Sequence, residues 1–168
     1  VCCDIVPVGT PLLHIANRMK ERREEFAEAM VAETAKPIVY ARAEVDRAIQ
    51  TFIDGGEETK RIYGELMALD RTPAGNNHEA IVRRFPIGLI AAIAPFNFPI
   101  NLVAHKLAPA IAAGCPIILK PASKTPISAL LIAELIDETE LPKGMVSILP
   151  MDRETGDMMV TDDRFKLL

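Results

Sequence analysis

An α/β fold built on a parallel sheet with flanking helices, preceded by a helical pair and a projecting extended segment, is the architecture this sequence predicts. Three observations carry it. Beyond Pro86, short apolar runs alternate with helix-like stretches, the order that produces parallel strands joined by right-handed crossovers. The runs 88–94 and 116–119 are apolar on both faces, as strands covered on both sides are. Before Pro86, the first third instead shows the spacing of amphipathic helices.

The elements follow in order. Over residues 14–35, Ile15, Met19, Phe26 and Met30 recur near helical spacing with charges between them. A second helix is expected over 41–63, with Val45, Ile49, Phe52, Ile53 and Ile62 as candidate buried positions and Pro37 as the stop between the two. Gly55-Gly56 marks either a bend or a close helix crossing. Residues 64–84 change character: Leu66, Ala68 and Leu69 lead into the turn-rich Asp70-Arg71-Thr72-Pro73-Ala74-Gly75-Asn76-Asn77, and a second extended run follows. A projecting hairpin and a plain linker both fit that pattern. Strands are then expected at 88–94, 116–119 and 145–149, with helices at 99–113, 128–139 and 154–160. The run 164–168 reads as the tip of a fourth strand.

Composition narrows the function classes. The chain has 168 residues, 49% hydrophobic and 25% charged, the balance of a globular domain. A net charge of −4 argues against a nucleic-acid groove, and Lys20, Arg22 and Arg23 are interleaved with Glu21, Glu24 and Glu25 as on a solvated helix face. The longest apolar run, 87–96, is too short to span a bilayer, and no secretory signal is visible, so no membrane partner and a cytoplasmic location are expected. Three cysteines, two of them adjacent at Cys2 and Cys3, do not suggest a disulfide framework or a zinc site. His14, His78 and His105 share no ligand spacing.

Two segments point to chemistry. Ile93-Ala94-Pro95-Phe96-Asn97-Phe98-Pro99 and Gly114-Cys115-Pro116-Ile117-Ile118-Leu119-Lys120-Pro121-Ala122-Ser123 each end an apolar run abruptly in polar residues held by prolines. In open α/β sheets, ligands bind at such strand ends. A rigidly held Asn97 amide suits a developing oxyanion, the plainer alternative being a turn asparagine bonded to its own backbone. Lys120 leaves a buried strand, so its ammonium reaches either solvent or a ribose or phosphate, with Ser123 and Lys124 close by. Lys106 follows on the helix after Asn97, where a surface role is the plainer assignment. Cys115 reads as a small buried hydrophobe. The glycine-rich G-x-G-x-x-G loop of common dinucleotide sites is absent, as is a G-x-S-x-G nucleophile turn.

With Pro86-Ile87-Gly88, Asn97-Phe98-Pro99, His105-Lys106-Leu107-Ala108-Pro109-Ala110 and residues 114–122 in this order and spacing, the chain resembles the aldehyde dehydrogenase superfamily. Glu33-Thr34-Ala35-Lys36-Pro37 is similar to that family's E-x-G-K-P segment with alanine for glycine. Ala43-Glu44-Val45, Tyr63-Gly64-Glu65 and Leu141-Pro142-Lys143-Gly144-Met145-Val146 also fit. The resemblance implies a Rossmann-like domain that binds NAD or NADP without the glycine fingerprint. It places 1–63 as a helical region of the cofactor domain, 64–85 as an oligomerisation-type segment and 86–168 as the partial Rossmann-like domain. It implies Asn97 as the donor to a thiohemiacetal oxyanion, and Ala94, Pro95, Phe96, Lys120, Ala122 and Ser123 along the cofactor. Many NAD-preferring members carry glutamate where Ser123 stands, so NADP is expected to be tolerated, with Lys124 as a second cation.

The implied partners are an aldehyde substrate and further copies of the chain. The family's G-Q-x-C and E-L-G-G-K segments, which hold the catalytic cysteine and the general base, are not among these residues, and Cys2, Cys3 and Cys115 sit in no matching motif. The expectation is therefore an N-terminal portion that does not oxidise aldehydes alone. The alternatives are a non-catalytic nucleotide-binding or oligomerisation module, or a partner to a separate catalytic half.

Overall fold

The structure, a computed structural model, describes residues 9–168. Cys2 and Cys3 lie outside that range. Three helices open the chain, α1 (Gly9–Glu21), α2 (Arg23–Thr34) and α3 (Ile38–Glu58), followed by the strands β1 (Glu65–Ala68) and β2 (Glu79–Val82). The remainder alternates β3 (Ile90–Ile93), α4 (Asn101–Ala112), β4 (Ile117–Lys120), α5 (Ile127–Asp137), β5 (Val146–Ile148) and α6 (Arg153–Thr161). No helix among the described residues is long and apolar enough to cross a membrane.

The sheet is parallel in the order β3-β4-β5, with Ile90 opposite Ile117 and Ile117 opposite Val146. The run expected as a fourth strand reaches the free side of β3. Ile90 bridges Leu167 in parallel, and the Ala91 N–H donates to the Leu167 carbonyl at 2.9 Å. A single apolar core joins helices to sheet, with Phe26, Phe52, Leu107, Ile111, Leu119 and Ile132 fully buried within it. Burying each such side chain contributes about 1.5–3 kcal/mol.

The expected helical pair is three helices. The first predicted helix starts earlier, at Gly9, and bends at Arg22, whose ψ of 19° leaves the helical range. Met19 and Phe26 flank that bend and are both fully buried. The joint lets α1 and α2 each pack against α3 and α5, a tertiary demand that overrides strong local helix propensity. The second helix ends at Glu58 and passes into a 3-10 turn, Thr59–Arg61. Ile62, expected in the core, therefore lies beyond the helix and is exposed.

Of the two readings of Gly55-Gly56, the close crossing is the one found. A Cβ at Gly55 would lie 3.1 Å from the Ala108 Cβ on α4, and one at Gly56 would lie 3.2 Å from Leu13 on α1.

Residues 64–84 form a hairpin rather than a linker. β1 and β2 pair antiparallel from Glu65 opposite Val82 to Ala68 opposite Glu79, and the Leu69 N–H donates to the His78 carbonyl at 3.0 Å. Leu66 and Ile81 stand opposite one another and are both exposed.

The corner between α2 and α3 sets the rest in place. Ala35 ends α2 in the left-handed region at φ 55°, its N–H donating to the Val31 carbonyl at 2.8 Å, and Pro37 then leads into α3. Left-handed backbone strains any residue with a Cβ, which accounts for glycine in the motif this segment resembles. Ala35→Gly is expected to stabilise the chain by about 1 kcal/mol, after allowing for glycine's entropy in the unfolded state. A denaturation midpoint raised at unchanged slope is the expected result; an unchanged or lower midpoint contradicts the strain at Ala35.

Candidate functional site

The two polar segments singled out in the sequence leave the sheet side by side. Ile93, the last residue of β3, is opposite Lys120, the last residue of β4, and the Ala94 N–H donates to the Lys120 carbonyl at 2.9 Å. From β3 the sheet extends to β4 and β5 on one side, while Leu167 returns on the other. The strand order thus reverses at β3, and in open α/β sheets a ligand crevice opens beyond the strand ends at such a point.

The first segment is anchored from α3. Glu44 is 2% exposed, and its Oε1 accepts from the N–H groups of Ile100 and Asn101, each at 3.1 Å. A side-chain carboxylate thereby satisfies amides that open α4, where helices leave donors without partners. Glu44 Oε2 pairs with Lys36 Nζ at 2.5 Å, and the same ammonium donates to the Asn97 carbonyl at 3.1 Å. It also lies 4.6 Å from the centroid of the Phe98 ring, with the Arg47 guanidinium at 5.8 Å. Asn97 itself is exposed. Among the described residues its side-chain amide has no hydrogen-bond partner, so the self-bonded turn asparagine is not the arrangement here.

The second segment is anchored from α2. The Glu33 carboxylate accepts from the N–H of Ile127, from the N–H of Ser128 at 3.0 Å and from the Ser128 hydroxyl at 2.6 Å, capping α5. Lys120 is 9% exposed, yet among the described residues its ammonium meets only the Pro121 carbonyl at 3.5 Å and the Ser123 hydroxyl at 3.4 Å. Both contacts are at the long limit of a hydrogen bond. The lysine stem runs across Gly156 of α6, where a Cβ would stand 2.9 Å from both Cδ and Cε. Asp152 caps α6 by accepting from the Thr155 N–H at 2.8 Å. The Thr155 backbone and side-chain hydrogen bonds hold its carboxyl below the usual carboxylate range, with a smaller pull from Lys120.

Ser123 and Lys124 are exposed on the turn between β4 and α5. The Lys124 ammonium sits 5.5 Å from the centroid of Phe96, spanning the two segments.

Ala94, Pro95, Phe96, Asn97, Lys120, Ala122 and Ser123 are therefore gathered at one sheet edge. Lys106 is not with them. It lines a cavity of about 340 Å³ with Ala91, Cys115 and Ile117, toward the beginnings of the strands. Cys115 is buried there, 2% exposed, as its flanking residues suggested.

Sequence reasoning missed the anchors. Glu33 and Lys36 stand out only as parts of a motif, although the carboxylates of Glu33 and Glu44, three and eight positions from Lys36, have no assigned partner in the sequence. The signal for Glu44 was present: with Ala41, Val45 and Ala48 it shares one buried helix face, where a carboxylate requires a partner. Gly156 carried no comparable signal.

A family model described as "Aldehyde dehydrogenase family" matches residues 9–168. The chain is 46% identical over 150 residues to the 3-sulfolactaldehyde dehydrogenase of Priestia aryabhattai, covering 89% of this chain and 31% of that protein. Its structure is similar to that of aldehyde dehydrogenase 21 from Physcomitrella patens in complex with the reaction product succinate. The TM-score is 0.93 at 48% identity, over 96% of this chain and 34% of that one. It is also similar to the glyceraldehyde-3-phosphate dehydrogenase GapN of Methanocaldococcus jannaschii complexed with NADP, with TM-score 0.87 at 32% identity, over 98% and 36%. The chain thus spans about a third of the length of these relatives.

Removing the α5 cap isolates one anchor. Glu33→Ala is expected to cost about 1 kcal/mol and to speed amide exchange at Ile127 and Ser128 while leaving Ile100 and Asn101 protected. Equal loss at both pairs would contradict separate anchoring of the two segments.

Proposed function

The chain belongs to the aldehyde dehydrogenase family, and on that premise we propose that it supplies the NAD(P)-binding edge and the oxyanion donor for oxidation of an aldehyde to a carboxylic acid. The observation that carries the reading is the pairing at the strand ends. A buried, weakly partnered ammonium at Lys120 stands beside a loop presenting the Asn97 amide, which has no partner among the described residues.

Each group suits one part of the chemistry. Lys120 can donate to ribose hydroxyls, and bonding them would complete the hydrogen bonding its own protein contacts leave weak. Ser123 places a hydroxyl rather than a carboxylate beside that ammonium, so a 2′-phosphate meets no negative charge from that position and NADP is accommodated as well as NAD. The exposed Lys124 ammonium, over the Phe96 ring, offers a second cation for such a phosphate.

Asn97 is a neutral donor on a tethered loop. It can stabilise the oxyanion formed when a thiolate adds to the aldehyde carbonyl, without the reorganisation a mobile cation would need. When bound, the nicotinamide accepts the hydride that leaves the aldehyde carbon. Ala94, Pro95, Phe96 and Ala122 form the floor between these two groups. The thiolate and the base that activates water belong to family motifs outside these residues, so this chain is expected not to turn over aldehydes by itself.

A second role has its own observation. The hairpin exposes Leu66 and Ile81 on paired strands and Phe85 just beyond, an apolar edge of the kind that pairs with another chain, and a homo-oligomer is the expected state.

Titrating the chain with NADPH and NADH by fluorescence tests the cofactor edge. Saturable binding of both is expected. Lys120→Ala should weaken it roughly tenfold or more, the loss of one charge-assisted hydrogen bond. Ser123→Glu should weaken NADPH and spare NADH. Absence of saturable binding, or a Lys120→Ala titration matching the unsubstituted chain, would overturn the assignment.

A further inference from the structure

We propose that Lys36, fixed by the buried carboxylate of Glu44, is the positioning residue that sets the direction of Asn97. The inference rests on Asn97 being the oxyanion donor, and extends that reading to two residues that touch neither aldehyde nor cofactor.

Among the described residues, the Asn97 carbonyl has one hydrogen-bond donor, Lys36 Nζ at 3.1 Å. The carbonyl belongs to the peptide linking Asn97 to Phe98. Holding it fixes that peptide plane and, through it, the Cα–Cβ direction along which the Asn97 amide projects. On the C-terminal side, Pro99 fixes its own φ and lacks an N–H. The next two amides, Ile100 and Asn101, are held by Glu44 Oε1 at 3.1 Å each.

One carboxylate therefore serves both ends of the turn, directly through Oε1 and through Lys36 by Oε2. Phe98 is held between them under the Lys36 ammonium at 4.6 Å. Lys36 is itself constrained in several ways. It follows the left-handed Ala35, precedes Pro37, and is bound to a carboxylate that is 2% exposed and cannot turn to solvent.

The role differs from general support of the fold, because Glu44 has two separable functions. Glu44→Gln keeps an oxygen to accept from Ile100 and Asn101 but presents an amide, not a carboxylate, to Lys36. The cap stays and the tether on Asn97 goes. Lys36→Met removes the tether directly, and Lys36→Arg retains a cation long enough to reach both acceptors.

The test uses the 15N-labelled 168-residue chain, with the Asn97 side-chain amide identified by its disappearance in Asn97→Asp. Lys36→Met and Glu44→Gln should each displace that signal as the amide loses its fixed direction, and Lys36→Arg should return most of the shift. In Glu44→Gln, exchange at Ile100 and Asn101 should stay within about threefold of the unsubstituted chain, since their acceptor survives. Amides of Ala122 and Ser123, on the other segment, should not move. If Lys36→Met does not fold, Glu44→Gln and Lys36→Arg decide the matter. An Asn97 signal unmoved in Glu44→Gln would overturn the proposal. So would a shift at Ala122 and Ser123 as large as that at Asn97, which would mark a general structural role. Failure of the chain to bind NADPH would count against the cofactor reading and leave this result independent of it.

Discussion

A carboxylate buried to 2% exposure, Glu44, is the constraint around which the candidate functional edge is organised. Taking a charge out of water costs several kcal/mol, so the fold must bring donors to it. It brings three: the ammonium of Lys36 and the amides of Ile100 and Asn101 at the start of α4. Breaking the set from either side leaves a charge without compensation, and this ties the α2–α3 corner to the start of α4 more firmly than apolar packing alone. The left-handed Ala35 and the proline after Lys36 follow from this demand, because the chain must turn sharply between α2 and α3 to deliver the lysine.

Glu33, on the last turn of the preceding helix, does the corresponding work for α5. The loops after β3 and β4 are thus both gripped from one short stretch, and their relative placement is set by the corner as well as by the sheet register. The groups left free at that edge are consistent with a binding role. Among the described residues the Asn97 amide has no partner and Lys120 has only long contacts, and Gly156 leaves the room along which the lysine stem lies. Polar groups tied down elsewhere in the neighbourhood make these exceptions informative.

Much of the fold was legible because buried parallel strands are continuous apolar runs and the prolines and glycines around them mark their ends. The loops after β3 and β4 were legible for the same reason, since polar residues interrupt those runs abruptly. The bend at Arg22 was not, because Lys20-Glu21-Arg22-Arg23-Glu24-Glu25 consists of good helix formers and only packing on α3 and α5 demands the joint. The hairpin could not be separated from a linker, since strand pairing is a property of two segments and neither carries it alone. Ile62 was misplaced because helical spacing continues on paper past the point where α3 stops. The anchors Glu33, Lys36 and Glu44 escaped assignment because their partners lie on distant segments, the groups that open α4 and α5 for the two glutamates and the Asn97 carbonyl for Lys36, which no spacing in the sequence displays.

The most direct measurement is a crystal structure of the chain grown with NADP. The expected result is the adenosine ribose against Lys120 and Ser123, with Glu44 bonded to the Ile100 and Asn101 amides and Lys36 on the Asn97 carbonyl. A cofactor bound elsewhere, or a Glu44 carboxylate turned away from the start of α4, would contradict the anchored edge on which the functional reading depends.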